Sequence, residues 1–196
     1  MMRTADITRN TKETQIRAVV NLDGKGVSKL DSGIPFLDHM IDQIARHGMI
    51  DIELKATGDL HIDAHHTVED VGLCFGKALN QAIGDKAGIR RFGAATVPMD
   101  ETLVTAAVDL SGRPFLEWRA EVPFELLGNY SSSLTEEFWR AASSAGLFNL
   151  HVVLHHGRNT HHIVEAIFKA CARALRAATE ADPLAVGVVP STKGVL

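Results

Sequence analysis

The chain has 196 residues, enough for one domain or two small fused ones that bury a core without disulfide or metal staples. Its formal net charge of −4 provides no global field for nucleic acid, and no block of like charge marks an interaction tail. The start of the chain lacks a basic region followed by an apolar run, and no apolar stretch approaches the roughly 20 residues of a membrane span, so a soluble, cytoplasmic protein is expected.

The first legible element is a strand. Ile16, Ala18, Val20 and Leu22 alternate with other residues at period two, and Asp23-Gly24 follows as a turn signal, so a β-hairpin is expected to open the chain. Asp23-Gly24-Lys25-Gly26 lacks the spacing and setting of a nucleotide loop and reads as a hairpin turn. A helix is expected over Phe36 to His47, with Leu37, Met40, Ile41 and Ile44 on one stripe and Gly48 as its C-terminal stop. A short strand, Ile50 to Leu54, precedes a second helix that opens near His65-His66 and runs to about Ile83.

The same series then repeats. Glu13-Thr14-x-Ile16-x-Ala18-x-Val20-x-Leu22-x-Gly24 returns 88 residues on as Glu101-Thr102-x-Val104-x-Ala106-x-Val108-x-Leu110-x-Gly112. The next helix, Leu134 to Ala145 before Gly146, is displaced by 98, so the second half carries ten extra residues around Glu121 to Ser133, most simply a longer loop. A strand at Phe148 to Val152 and a helix to about Thr179 complete the copy. Each half reads β-β-α-β-α, with 1–92 as the first half and 93–196 as the second plus a C-terminal tail. The expected class is α+β, a tandem duplication with mixed sheets covered by helices on one face and halves related by a pseudo-twofold axis.

Within this repeat, His-His-x-x-Glu stands at His65, His66 and Glu69 and again at His161, His162 and Glu165. Imidazole and carboxylate are ligands for first-row transition metals, and a helix can present them at i, i+3 and i+4. Adjacent histidines diverge by about 100°. His66 with Glu69 is therefore expected to share a centre while His65 turns to another, which points to two metals. A first-turn glutamate alone favours a helix N-terminus, but that does not account for paired histidines recurring at one offset.

His39 lies opposite the apolar stripe of its helix, and the repeat places Glu137 at the corresponding position. Pseudo-symmetry then suggests His39, His66, Glu69 and His161 around one ion, and Glu137, His162, Glu165 and His65 around the other. His47, His61, His151, His155 and His156 read as surface or hydrogen-bonded histidines. Cys74 and Cys171 fall in apolar helical stretches at nearly equivalent repeat positions and read as reduced core thiols.

Ile34-Pro35-Phe36-Leu37-Asp38-His39-Met40, His65-His66-Thr67-Val68-Glu69-Asp70, Ser111-Gly112-Arg113-Pro114 and Pro190-Ser191-Thr192-Lys193-Gly194 together resemble the imidazoleglycerol-phosphate dehydratases, in order and over nearly the whole chain. The resemblance is to the stand-alone form, without a fused phosphatase domain. It implies a hydro-lyase of histidine biosynthesis, a di-manganese site, and a homo-oligomer of 24 subunits whose sites take ligands from more than one subunit. The charge and the apolar patterning lead to no nucleic-acid or membrane partner being expected.

The family's ligand positions fall on His39, His65, His66, Glu69, His161, His162 and Glu165. The eighth departs: where many members have a histidine before an aromatic pair, this chain has Glu137 before Phe138-Trp139, with Glu136 a poorer substitute. A carboxylate is a harder ligand than imidazole and suits manganese.

The family reaction converts imidazole glycerol phosphate to imidazole acetol phosphate. The hydrogen lost has no adjacent carbonyl to acidify it, so the imidazole ring must accept the electrons, which metals bound at its nitrogens favour. The resemblance makes Glu13 a substrate contact and the candidate general base, and extends catalytic roles to His66, Glu69 and Glu165. The imidazole ligands His39, His65, His66, His161 and His162 double as substrate contacts in this scheme, as does Glu69. Phosphate recognition maps to Arg91, Arg113, Lys169, Ser191, Thr192 and Lys193, arginine giving bidentate contacts and lysine a point charge. A di-metal phosphate ester hydrolase is the alternative chemistry, and a structural metal site cementing an oligomer is the non-enzymatic one.

Overall fold

The computed structural model describes residues 3–194 and residue 196. Its elements follow in chain order: β1 (Thr4–Asn10), β2 (Thr14–Asn21), β3 (Ser28–Asp31), α1 (Pro35–Gly48), β4 (Asp51–Gly58) and α2 (His65–Ile83) form the first half. The second half comprises β5 (Phe92–Met99), β6 (Thr102–Asp109), β7 (Phe115–Arg119), β8 (Leu126–Leu127), β9 (Tyr130–Ser131), α3 (Leu134–Gly146), β10 (Asn149–His156) and α4 (Thr160–Thr179). The four-stranded sheets have the same order, β1-β2-β4-β3 and β5-β6-β10-β7. In each, the last strand runs parallel to its neighbour and the other pairings are antiparallel, so both sheets are mixed.

The duplicated α+β plan stands, with one strand more in each four-stranded sheet than the sequence pattern predicts. The additions are β1 and β5, which stand ahead of the alternating strands β2 and β6. They also relocate the hairpins. The hairpin of the first half is β1–β2, turning at Thr11 to Glu13, whereas Asp23-Gly24 leads across to β3 on the far side of β4. Asp51 organises that crossover turn, its Oδ1 accepting from the backbone N–H of Lys25 at 2.8 Å and of Val27 at 2.9 Å. The ten extra residues are not a plain loop but include the small β8–β9 ladder.

Period-two burial turns one face of each sheet toward the helices: Ile16, Ala18 and Val20 on β2, and Val104, Ala106 and Val108 on β6, are buried. The helices pack across the repeat, α1 against α4 and α2 against α3, so one continuous core joins the halves. Glycines allow the α2–α3 approach. A Cβ at Gly72 would stand 2.6 Å from the Phe138 carbonyl oxygen, and one at Gly76 2.2 Å from that of Ala142. Gly48 and Gly146 are likewise close-packed, while the left-handed caps that end α1 and α3 are Met49 (φ 54°) and Leu147 (φ 52°). Cys74 and Cys171 are buried and unpaired, and burial pushes both thiols up, Cys74 to about 11. No described helix is long and apolar enough to cross a membrane.

Candidate metal centre

The cross-repeat packing sets the first turns of α1 and α4 side by side. His39 sits on the exposed side of α1, because Leu37, Met40, Ile41 and Ile44 take its buried side. Asn159 caps α4 through its side-chain oxygen, which accepts from the His162 N–H at 3.2 Å, and so fixes where the histidine pair begins. His39 Nε2 and His161 Nε2 each lie 3.1 Å from Glu165 Oε2, and Lys169 Nζ lies 2.6 Å from Glu165 Oε1. Burial opposes ionisation of Glu165, but Lys169, His39 and His161 outweigh it and hold the carboxyl below its usual range.

Two imidazole nitrogens and a carboxylate oxygen within 4.8 Å of one another form a donor set that fits a divalent manganese, iron, zinc or nickel ion. Both Nε2 atoms donate to the carboxylate here, and an ion bound between them would take the place of those two protons. The edge of the Phe36 ring meets His161, and Leu126 to Asn129 of the inserted segment help line a cleft of about 860 Å³ beside the two imidazoles.

The close His–Glu pairs are i,i+4, not i,i+3. His161 pairs with Glu165, and His65 Nε2 lies 3.9 Å from Glu69 Oε2. Residues four apart lie one above the other on a helix, which brings the first histidine of each cluster over its glutamate. The expected pairing of His66 with Glu69 therefore gives way to His65 with Glu69. The expected partition changes with it, since Glu165 stands with His39 and His161 rather than with His65, His162 and Glu137.

His66 and His162 turn elsewhere. His66 Nδ1 donates to Asp59 Oδ2 at 2.9 Å, with Glu13 Oε2 4.0 Å away. His162 Nδ1 donates to Glu101 Oε2 at 2.8 Å. Each of these hydrogen bonds raises the imidazole's pKa. The same bonds lower the carboxyls, Glu101 the more because the N–H groups of Asn159 and Arg158 also donate to it. Asp59 and the role of Glu101 have no motif in the sequence. The one available signal is that Glu101 and Glu13 are repeat mates.

Glu137 occupies the first turn of α3, half-buried and without a hydrogen bond or ion pair to a described residue. The α2–α3 packing pairs Gly72 with Phe138 and Gly76 with Ala142, so the two helices run in the same direction with first turns level. Glu137 thus stands to His65 and Glu69 as His39 stands to His161 and Glu165. Among the described residues, only the latter trio closes to within ligand distance.

Residues 32–175 match the family described as imidazoleglycerol-phosphate dehydratase. The chain is 57% identical to the Bordetella petrii protein of that name, over 100% of both chains, and 55% identical to that of Janthinobacterium sp. (strain Marseille), over 99% of this chain and 98% of the relative. It superposes on the crystal structure of the Staphylococcus aureus enzyme with a TM-score of 0.83 at 36% identity, covering 91% of this chain and 99% of that one. The Pyrococcus furiosus structure, in complex with (S)-C348, gives a TM-score of 0.83 at 34% identity, covering 97% and 100%. The chain belongs to the imidazoleglycerol-phosphate dehydratase family.

For a member of the imidazoleglycerol-phosphate dehydratases, the expected phosphate contacts fall into two groups. Lys169 lies beside the His39, His161 and Glu165 cluster, spent on Glu165 and near Met99. Arg91 lies at the far end of α4, where its N–H donates to the Ala178 carbonyl. Its guanidinium is held by Asp109 at 2.7 Å and the Pro190 carbonyl at 2.7 Å, so it anchors the start of Pro190 to Lys193. Ser191 is half-buried and Thr192 and Lys193 are exposed there. Arg113 follows the left-handed Gly112 (φ 75°), an exposed residue of the β6–β7 turn. Glu13 is 58% exposed at the β1–β2 turn.

Proposed function

We propose that this protein dehydrates imidazole glycerol phosphate to imidazole acetol phosphate in histidine biosynthesis, with two divalent ions, manganese by family resemblance. The observation that carries the metal reading is the convergence of His39, His161 and Glu165 at the start of α4. His65, Glu69 and Glu137 are the second set, supported by their equivalent places on α2 and α3. Bound metal supplies Lewis acidity at the substrate's imidazole nitrogens, which makes the ring an electron sink.

The chain's own residues do the rest. Lys169 offsets the Glu165 charge and leaves an ammonium at the rim of the centre. Glu13, exposed and 4.0 Å from His66, accepts the proton from carbon at a carboxylate oxygen. Arg91 and Arg113 hold the phosphate with Ser191, Thr192 and Lys193 of the tail. His66 and His162 keep Nε2 for a metal ligand sphere, and because they face away from their own chain's trio, assembly into a homo-oligomer of 24 copies would complete each sphere. A cytoplasmic location suits this chemistry.

The test is to supply imidazole glycerol phosphate with Mn²⁺ and follow product by proton NMR while measuring free phosphate. Dehydration that stops on chelation and returns with Mn²⁺ is expected. Phosphate release without dehydration would replace this reading with that of a di-metal hydrolase.

A further inference from the structure

In each half, the first histidine of the pair goes to the glutamate four residues on, and the second to a carboxylate from outside its helix. Those carboxylates differ. Asp59, from the loop after β4, serves His66, and Glu101, from the β5–β6 turn, serves His162. The repeat mate of Glu101 is Glu13, and the mate of Asp59, counted through the bulge in β10, is Arg158.

We propose that Asp59 and Glu101 are positioning residues that fix His66 and His162 with Nε2 presented as ligand nitrogen, and that Asp59, by taking this place, releases Glu13 for the substrate. The proposal rests on the reading of His66 and His162 as ligands given above.

An ionised carboxylate only accepts hydrogen bonds, so the proton of a neutral imidazole beside it lies on Nδ1 and the lone pair on Nε2. Carboxylates behind metal-bound histidines act in this way, fixing tautomer and ring orientation. Glu101 is committed: one oxygen accepts from the N–H groups of Arg158 at 3.0 Å and Asn159 at 2.8 Å, the other from His162. Glu13 makes no side-chain hydrogen bond with a described residue.

Side-chain type explains why the halves differ. Gly58 and Gly157 take equivalent, close-packed places, a Cβ standing 2.0 Å from Thr67 Oγ1 at the first and 2.7 Å from Ile163 Cγ1 at the second, and the residue that follows is Asp59 in one half and Arg158 in the other, so the second half has no carboxylate there and its hairpin glutamate serves. In the first half Asp59 fits, only 11% exposed, with Oδ1 buried and unbonded and Oδ2 on the imidazole. Nothing else in the described structure holds that carboxylate in place.

Mn²⁺ titration of the purified protein without substrate, read by electron paramagnetic resonance of the free ion, tests this. Glu101→Ala is expected to weaken one centre about 10–100-fold. Glu101→Gln should stay close to wild type, since its amide oxygen still accepts from Nδ1. Asp59→Ala should weaken binding less, because Glu13 swings onto His66, but at saturating Mn²⁺ its kcat should fall with the diverted base. Asp59→Ala with Glu13→Ala should match Glu101→Ala, while Glu13→Ala alone leaves Mn²⁺ affinity unchanged. Wild-type affinity in both Glu101→Ala and the double variant overturns the proposal, as does a Glu101→Gln defect equal to that of Glu101→Ala. Should the alanine variants fail to fold, Glu101→Gln and Asp59→Asn carry the comparison: both should keep near-wild-type affinity, and a large loss in either overturns it. A wild-type protein that binds no Mn²⁺ overturns the ligand reading beneath it, and this proposal with it.

Discussion

Replacing Gly76 by alanine drives a wedge between the helices that carry His65, Glu69 and Glu137. The new Cβ would stand 2.2 Å from the Ala142 carbonyl oxygen and 2.8 Å from the Gly146 nitrogen, where ordinary contact begins at 3.4 Å. Both obstacles are backbone, so α2 and α3 must part by about 1 Å near this point. Overpacking of this kind costs up to about 3 kcal/mol. Alanine returns about 1 kcal/mol of helix propensity, leaving roughly 2 kcal/mol. For a chain of this size that lowers Tm by about 4–8 °C. Metal–ligand distances tolerate only about 0.2 Å, so a shift of this scale would also open the second centre proposed above. The first centre, between α1 and α4, is untouched. Differential scanning calorimetry of the metal-free protein and elemental analysis of the reconstituted one should show the lower Tm and one Mn²⁺ per chain in place of two. Lys77→Ala, exposed on the same helix, is the control and should lie within about 0.5 kcal/mol of wild type. An unchanged Tm and two bound ions in Gly76→Ala would refute both the close helix approach and the assignment of a centre to it.

His161→Ala should remove one ion and cut turnover by about 10²-fold or more, beyond the usual cost of losing a group behind a ligand. His155→Ala, whose ring bonds Thr105 at 2.8 Å on the outer sheet face, should leave both unchanged; equal losses in the two would sink the site. Glu137→Ala should empty the α2–α3 centre selectively while Glu137→His retains it, and full occupancy in Glu137→Ala removes that residue from the ligand set. The metal-free protein should show an acid optimum of stability. The raised imidazole pKa values of His66 and His162 give stability that is fully present below about pH 6.5 and lost as pH rises through the folded values. The lowered carboxyls of Asp59 and Glu101 give stability present above about pH 4 and lost as pH falls through theirs. Thermal melts across pH in chelator should therefore peak between these limits, and His162→Ala should flatten the alkaline side.

The long helices are legible in the sequence because apolar periodicity over many residues fixes both face and extent. The ends expected at Ile83 and Thr179 are those observed. The pairing of β3 is not legible: Ser28 to Asp31, the arm after Asp23-Gly24, is four residues long and mostly polar, and it lies parallel to β4 while β1 takes the antiparallel place beside β2. The hairpin turn is misplaced for the same reason, since Asp23-Gly24 announces a turn without saying which strand comes next. The glycines that end α1 and α3 look like caps but are needed for close packing, and the left-handed positions fall on Met49 and Leu147. At the site, residue types and repeat offset carry the candidate ligands, whereas pairing depends on side-chain direction along the helix. That direction selects i,i+4 and leaves the second histidines to Asp59 and Glu101, whose proximity is set by loops that no motif marks.

Because α1 meets α4 and α2 meets α3, each prospective centre spans the boundary between the repeats. A symmetric pair of identical half-length chains could build the same two sites, but every substitution would then appear at both. Joining the halves in one polypeptide lifts that constraint. His39 can correspond to Glu137 across the pseudo-axis, and an aspartate can stand where the other half has arginine. One ion can be held by softer donors and its twin by harder ones, so that two sites of common origin can come to prefer different conditions, or to do different work on one substrate.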